Sequence, residues 1–220
     1  MFDNSDLILA LYTLCFLLYT PFMELKTFVF IGRSGSGKGT QARLLEGYIK
    51  DVDSLNNVLY LETGARFRDF LKDSNYTAKL SQEIYKRGDL QPDFLAIRIW
   101  ADELQEKLSG DEHLIFDGTP RQLREAYVLE TALDFYQRKD VYIVYPNVSR
   151  KWSEEKLSKR GREDDKNLEE IKKRLDWYDE KVLPVIEYYR GNPRYHFLDI
   201  NGEQTIEEVH NNIVEKVFKK

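Results

Sequence analysis

The sequence predicts an α/β fold, a three-layer sandwich in which helices cover both faces of a central parallel five-stranded sheet. Three observations carry this prediction. Short apolar runs rich in β-branched and aromatic residues alternate with longer segments of helical periodicity. A glycine-rich turn joins the first such run to the first helical pattern. No repeat or proline-rich linker divides the chain beyond its first segment. A parallel sheet of this kind places its site at the carboxyl ends of the strands.

The predicted elements alternate in chain order. The first strand is apolar and β-branched, as a buried parallel strand should be, and the helix after it has apolar residues at 42, 44, 45 and 48. Further apolar runs of strand length follow, so that the predicted strands cover residues 27–31, 58–61, 113–116, 141–145 and 195–200. Apolar residues at helical spacing between them predict helices over 64–73, 77–87, 92–108, 122–133, 149–159, 166–189 and from 205 onward.

Composition narrows the class of protein. The 220 residues are 42% hydrophobic and 32% charged, which is enough for one sizeable core. The net charge of −5 argues against a general nucleic-acid binder, because phosphate contacts need a basic excess. The single Cys15 cannot form an internal disulfide, and the three histidines are scattered. We therefore expect a cytoplasmic protein that binds neither nucleic acid nor zinc.

The first 22 residues form a hydrophobic extension whose role the sequence leaves open. Residues 7–22 are almost continuously apolar, yet the run is shorter than the ~20 residues of a usual membrane span. Asp3 and Asp6 stand where a signal peptide would be positive. Met23 follows directly, so one interpretation is that the natural start lies there. The alternatives are a membrane anchor and an accessory helix on the core, and in each case residues 23–220 are the expected folded domain.

The glycine-rich turn has the pattern of a phosphate-binding loop, or P-loop. A strand, a tight turn and a helix start together direct backbone N–H groups and the positive end of the helix at one anion. Lys38 adds a cation for the outer phosphates of a nucleotide. The residues predicted to bind ATP here are Gly35, Ser36, Gly37, Lys38, Gly39 and Thr40. An ordinary Gly/Ser turn is the alternative, and the flanking strand and helix disfavour it.

The Gly-Lys-Gly-Thr-Gln ending of this loop resembles the adenylate kinase family, and nucleoside monophosphate kinases more broadly. The stretches after the second and third predicted strands are similar to that family's Thr-Gly-x-x-x-Arg and Asp-Gly-Phe/Tyr-Pro-Arg patterns. Residues 88–93 are similar to its base-lining Gly-x-Leu-Val-Pro-Asp, and residues 159–175 resemble its short arginine-rich lid. The resemblance spans about residues 27–209.

The resemblance implies the reversible, Mg²⁺-dependent reaction ATP + AMP = 2 ADP. It assigns binding of the acceptor monophosphate to Thr63, Gly64, Arg68, Gln91, Gly118, Arg121, Glu125, Arg162 and Arg174. It assigns the catalytic cations to Lys38, Arg121, Arg160, Arg162 and Arg174, with Arg160 also contacting ATP. Asp117 is expected to hold Mg²⁺ through water. The family pattern also implies a monomer with a small helical monophosphate-binding insert at about 62–92 and a lid at about 150–166.

Four positions depart from the family pattern. Three of them replace a proline, an aromatic residue and an arginine with Ser34, Thr119 and Lys156. The fourth, Glu125, replaces a glutamine that reads adenine. A carboxylate only accepts hydrogen bonds, which suits the N1–H and N2 amine of guanine, although Gln122 or Gln91 could supply an amide instead. AMP is therefore the expected acceptor and GMP the alternative.

Two further functions stay open at this point. A P-loop kinase of another small hydroxylated acceptor would keep Lys38 and Asp117 but would have no reason to pair Thr63 with Arg68 and Arg121. A non-catalytic nucleotide-binding or membrane-tethered sensor would fit the hydrophobic extension. The lid arginines argue against that sensor, because binding alone does not need them.

Overall fold

A computed structural model describes residues 24–161 and 168–219. Within them lies a five-stranded, wholly parallel sheet in the spatial order β2-β3-β1-β4-β5. The strands are β1 (Thr27–Phe30), β2 (Asn57–Glu62), β3 (Glu112–Asp117), β4 (Val141–Asn147) and β5 (His196–Asn201). Each predicted strand is confirmed to within two residues at either end.

The helices fall between the strands as the periodicity predicts. They are α1 (Lys38–Val52), α2 (Thr63–Phe70), α3 (Tyr76–Lys86), α4 (Asp93–Lys107), α5 (Leu123–Phe135), α6 (Arg150–Arg160), α7 (Leu168–Trp177), α8 (Leu183–Gly191) and α9 (Ile206–Phe218). None of the helices in the described ranges is long and apolar enough to span a bilayer. The hydrophobic extension of residues 1–22 and the end of the predicted lid, residues 162–166, lie outside the described residues.

Both faces of the sheet are buried, which explains why its strands are apolar rather than alternating. On β1, Phe28 and Phe30 face a cluster that includes residues of α1 and α9, whereas Val29 and the following Ile31 face α4, α5 and α8. All four residues of β1 are fully buried. This strand is the centre of the sheet, and the P-loop begins where it ends.

One expected helix is interrupted. The prediction of a single helix over 166–189 is wrong, because a π-helical turn, Tyr178–Val182, separates α7 from α8. Pro184 lies in the first turn of α8, where its missing N–H removes no hydrogen bond, whereas inside a continuous helix it would break one. The turn widens the backbone just beyond the end of α7.

Candidate active site

The lysine of the P-loop is held by backbone carbonyl groups of the same loop. Gly35 and Gly37 have φ angles of 84° and 85°, a backbone conformation that side chains disfavour, and α1 begins directly after them at Lys38. The Lys38 ammonium donates hydrogen bonds of 2.7 Å to the carbonyl oxygens of Gly32 and Arg33. These contacts hold the cation at the mouth of the loop, beside the backbone N–H groups that begin the helix.

The surroundings of Lys38 make its protonated form less stable than it is in water. Desolvation by the walls of the cleft, together with the nearby cations Arg121 and Arg160, lowers its pKa to about 8, and Asp117 opposes the shift. The ammonium of Lys38 thus lies close to two other cations. A polyanionic ligand would restore the full charge of the lysine.

At residue 39, a glycine is favoured by a close contact rather than by a positive φ angle. Its φ lies outside the left-handed region, but a β-carbon at this position would stand 3.0 Å from Oδ2 of Asp117. A side chain at residue 39 would therefore crowd the carboxylate at the end of β3 unless that carboxylate moved by a few tenths of an ångström. The next residue, Thr40, carries a hydroxyl group and also lines the cleft.

Asp117 is placed by the register of the sheet and by one hydrogen bond. It pairs with Phe30 on β1 and with Glu62 on β2, so it lies at the carboxyl end of three adjacent strands. Tyr60 donates a 2.9 Å hydrogen bond to its Oδ2. Burial raises the pKa of Asp117, and Lys38 and Tyr60 counter this effect. A single well-held carboxylate beside a phosphate loop suits Mg²⁺, which retains most of its waters.

Two arginines converge on the opposite side of the cleft. Gly64 lies in the first turn of α2, and a β-carbon there would be 3.4 Å from the Arg68 guanidinium and 3.9 Å from that of Arg121. Arg68 is also 3.3 Å from Glu62. The hydroxyl of Thr63 is buried and has no hydrogen-bond partner among the described residues, so it could donate to a ligand oxygen. The start of α2 and the segment after β3 thus bring two guanidinium groups close together, with the Thr63 hydroxyl in the same cleft.

The segment after β3 turns sharply to present Arg121. Gly118 has a φ of 84°, and Arg121 Nε donates a 2.8 Å hydrogen bond back to the Gly118 carbonyl. Desolvation lowers the pKa of Arg121, whereas Glu125 and Asp117 raise it, so the guanidinium stays charged. The Arg121 guanidinium lies 6.0 Å from the centre of the Trp177 ring.

A single cleft of about 590 Å³ joins these features. Of the predicted site residues within the described ranges, Ser36 alone does not line it, since that residue is buried beneath the loop. The lining contains Arg160 at the end of α6 and Arg174 on α7, as well as Gln91 and Glu125. Arg162 lies outside the described residues. The cleft is therefore lined by several Lys and Arg side chains and by carboxylates, of which Asp117 lies at the end of β3 beside the P-loop.

Comparison with known proteins identifies this arrangement. A family model described as adenylate kinase matches residues 30–193. The chain belongs to the adenylate kinase family. The adenylate kinase of Azobacteroides pseudotrichonymphae is 38% identical over 191 residues, which are 84% of this chain and 94% of the relative. Those of Flavobacterium psychrophilum and Parabacteroides distasonis are 33% and 34% identical, over 82% and 86% of this chain and 92% and 96% of their own lengths.

Family membership confirms the fold and the class of reaction. As an adenylate kinase family member the chain is a nucleotide-binding phosphotransferase, and AMP is favoured over GMP as its acceptor. In the described residues no group of three or more His, Cys, Asp or Glu side chains is arranged as a metal-binding cluster. The expectation of a zinc-free lid stays a prediction.

Sequence reasoning missed two residues of this adenylate kinase site. Tyr60 reads as an ordinary strand residue, yet its hydroxyl reaches Asp117 and its ring lies 4.7 Å from the guanidinium of Arg43. Trp177 reads as a core aromatic on a helix, yet it lines the cleft and donates a 3.1 Å hydrogen bond to the Gly88 carbonyl. The position of Tyr60 two residues before the Glu-Thr-Gly stretch was the available signal for the first.

Proposed function

We propose that this protein transfers the γ-phosphoryl group of ATP to AMP through two phosphate sites that face one cleft. The observation that carries the proposal is the convergence of two separate cationic groups. The P-loop with Lys38 forms one, and Arg68 with Arg121 forms the other. Asp117 lines the same cleft, and the charges of Lys38 and Arg121 both act to lower its pKa. Holding two anions close together is the main requirement of phosphoryl transfer.

The donor half would bind the ATP phosphates. The amides at the start of α1 and the Lys38 ammonium would cradle the outer phosphates, and Arg160 would contact the triphosphate from α6. The lid at about 150–166, including Arg162, would close over the bound nucleotide. Excluding water prevents hydrolysis of ATP in place of transfer.

The acceptor half would orient the monophosphate as a nucleophile. Its phosphate oxygen is already ionised at neutral pH, so no side chain has to remove a proton. Arg68 and Arg121 would hold that phosphate with the Thr63 hydroxyl, while Arg174 would stabilise charge on the transferring group. The insert at about 62–92 supplies this half, and Gln91 lines its base end.

The residues present fit a magnesium ion. Asp117 offers one oriented carboxylate that would hold the metal through water, as the sequence predicts. When bound with ATP, Mg²⁺ neutralises phosphate charge. The proposal further includes a monomer that acts in the cytosol, in keeping with the acidic net charge and single cysteine.

A coupled assay with ATP and a panel of AMP, GMP, CMP and UMP tests the proposal. We expect the highest kcat/KM with AMP. Lys38→Ala and Arg121→Ala should each lower turnover by about 10³-fold, because each removes a clamp on transition-state charge. Activity above about a tenth of wild type in a folded variant, which is roughly 1.4 kcal/mol of barrier, contradicts the role assigned to that residue.

A further inference from the structure

Two of the departures from the family pattern touch one another. Thr119 replaces an aromatic residue and Glu125 replaces a glutamine, and the Thr119 hydroxyl donates a hydrogen bond to Oε1 of Glu125. Both side chains are deeply buried, with exposures of 1% and 2%. A hydroxyl donor and a carboxylate are a matched pair, which an aromatic ring and an amide in these places would not form.

The second oxygen of Glu125 is also engaged. Its Oε2 accepts a 2.6 Å hydrogen bond from the backbone N–H of Arg121. The carboxylate therefore bridges both ends of the segment 119–121, and each oxygen already has a donor from this segment. A side chain used in this way does not depend on a nucleotide base for its hydrogen bonds.

The bridge formed by Glu125 holds the backbone of Arg121, which is one of the two arginines proposed to bind the acceptor phosphate. Arg121 is fixed at its backbone by Glu125 and at its Nε by the Gly118 carbonyl. Its guanidinium is thereby directed toward Gly64 and Arg68. The negative charge of Glu125 also offsets the loss of solvation around the Arg121 cation.

We propose that Glu125 and Thr119 are positioning residues that hold Arg121 against the acceptor phosphate, and that Glu125 does not read the acceptor base. This inference rests on the proposed function. It predicts that damage to the bridge weakens binding of every monophosphate to the same degree. Selectivity among bases and the KM for ATP are then independent of the bridge.

Thr119→Val tests the bridge, because it keeps the shape of the side chain and deletes the donor. We expect the KM for AMP to rise about tenfold, with an equal factor for GMP and CMP and an unchanged KM for ATP. Thr119→Ser returns the hydroxyl and should recover most of that loss. Thr27→Val is the matched control, since the Thr27 hydroxyl is buried on β1 and has no hydrogen-bond partner in the part of the chain that the structure describes.

Glu125→Gln separates the bridge from a base contact. An amide can accept from the Arg121 N–H through its oxygen and donate to the Thr119 hydroxyl, so the segment keeps both hydrogen bonds. We expect the ratio of kcat/KM for AMP to that for GMP to stay within twofold of wild type. A change in that ratio of tenfold or more shows that Glu125 reads the base and overturns the inference.

Equal KM values for AMP in Thr119→Val, Thr119→Ser and wild type also overturn it. Thermal melts of each variant show whether it is folded, and Glu125→Gln carries the test on its own if Thr119→Val does not fold. Failure of the proposed function has a distinct signature, since the wild-type protein would then transfer no phosphoryl group to any monophosphate. The bridge can be measured with whichever monophosphate the wild type prefers.

Discussion

Lys38 shows how one residue links the electrostatics of the cleft to nucleotide binding. Its ammonium is held by two carbonyl oxygens, yet desolvation and two neighbouring arginines lower its pKa to about 8. Free protein therefore loses the lysine proton as the pH rises through about 8. ATP phosphates favour the charged form, so binding above this pH must take up a proton.

Calorimetric titration of ATP in buffers with different ionisation enthalpies measures this uptake. We expect about 0.1 proton per ATP at pH 7 and close to one, about 0.9, at pH 9, because the free lysine is mostly charged at the lower pH and mostly neutral at the higher. Lys38→Met is the control and should take up none at either pH. Equal uptake by the two proteins at pH 9 would assign the proton to another group.

Tyr60 gives a second prediction at the scale of one hydrogen bond. Tyr60→Phe keeps the ring that lies against Arg43 but removes the donor to Asp117. The carboxylate would be less firmly oriented, so the Mg²⁺ concentration for half-maximal activity should rise about tenfold. Activity at saturating Mg²⁺ should change much less.

The matched control for that experiment is Tyr195→Phe. The Tyr195 hydroxyl is buried without a hydrogen-bond partner in residues 24–161 and 168–219, and the residue packs against Tyr189 away from the cleft. If both substitutions leave the Mg²⁺ dependence unchanged, Asp117 does not rely on Tyr60.

At the scale of elements, the sheet sets which groups meet and the helix ends set how firmly they are held. The carboxyl ends of β1, β2 and β3 carry the P-loop, the start of α2 and Asp117. On one face of the sheet, α9 packs against α1 through Val209 and Ile213. Helix α9 begins with a capping box. Thr205 accepts from the Glu208 N–H, while the Glu208 carboxylate accepts from the Thr205 N–H at 2.9 Å.

Thr205→Ala should lower the free energy of unfolding by about 1 kcal/mol, because it leaves an N-terminal amide of α9 without its partner. Urea denaturation measures the loss, and kcat should not change, since α9 contributes no residue to the cleft lining. Thr131→Ala is the comparison. It removes an exposed threonine from within α5 and should cost less than about 0.5 kcal/mol. Equal costs for the two variants would mean that the cap does not stabilise the helix.

For the molecule as a whole, the features that depend on residues adjacent in the chain could be predicted from the sequence. The features that depend on tertiary contacts could not. Apolar runs predicted the strands because each is buried on both faces, and the P-loop predicted the donor site because its glycines and lysine are adjacent in the chain. The π-helical turn before Pro184 left no periodic signal. The Thr119–Glu125 contact and the space that Asp117 denies to residue 39 depend on how loops meet, which no spacing encodes.

The same view of the whole molecule bears on the hydrophobic extension. The described fold begins before β1, where the Lys26 N–H donates a 3.0 Å hydrogen bond to the buried ring of His113. Among the described residues, those that line the cleft lie between Ser34 and Trp177, and the buried members of the three hydrophobic clusters lie within 28–217. The described cleft lining and core are therefore formed by residues that follow Met23.

We accordingly expect a chain that starts at Met23 to match the full chain in kcat/KM for ATP and AMP and in its melting temperature. Removing a nearly continuous apolar segment should also lower aggregation, because exposed apolar surface promotes association. The measurement is a side-by-side comparison of activity, thermal melting and light scattering for the two chains. A shortened chain that does not fold would show that the extension stabilises the domain. Recovery of only the full chain with membranes, while the shortened one stays in the supernatant, would instead give residues 7–22 the role of an anchor.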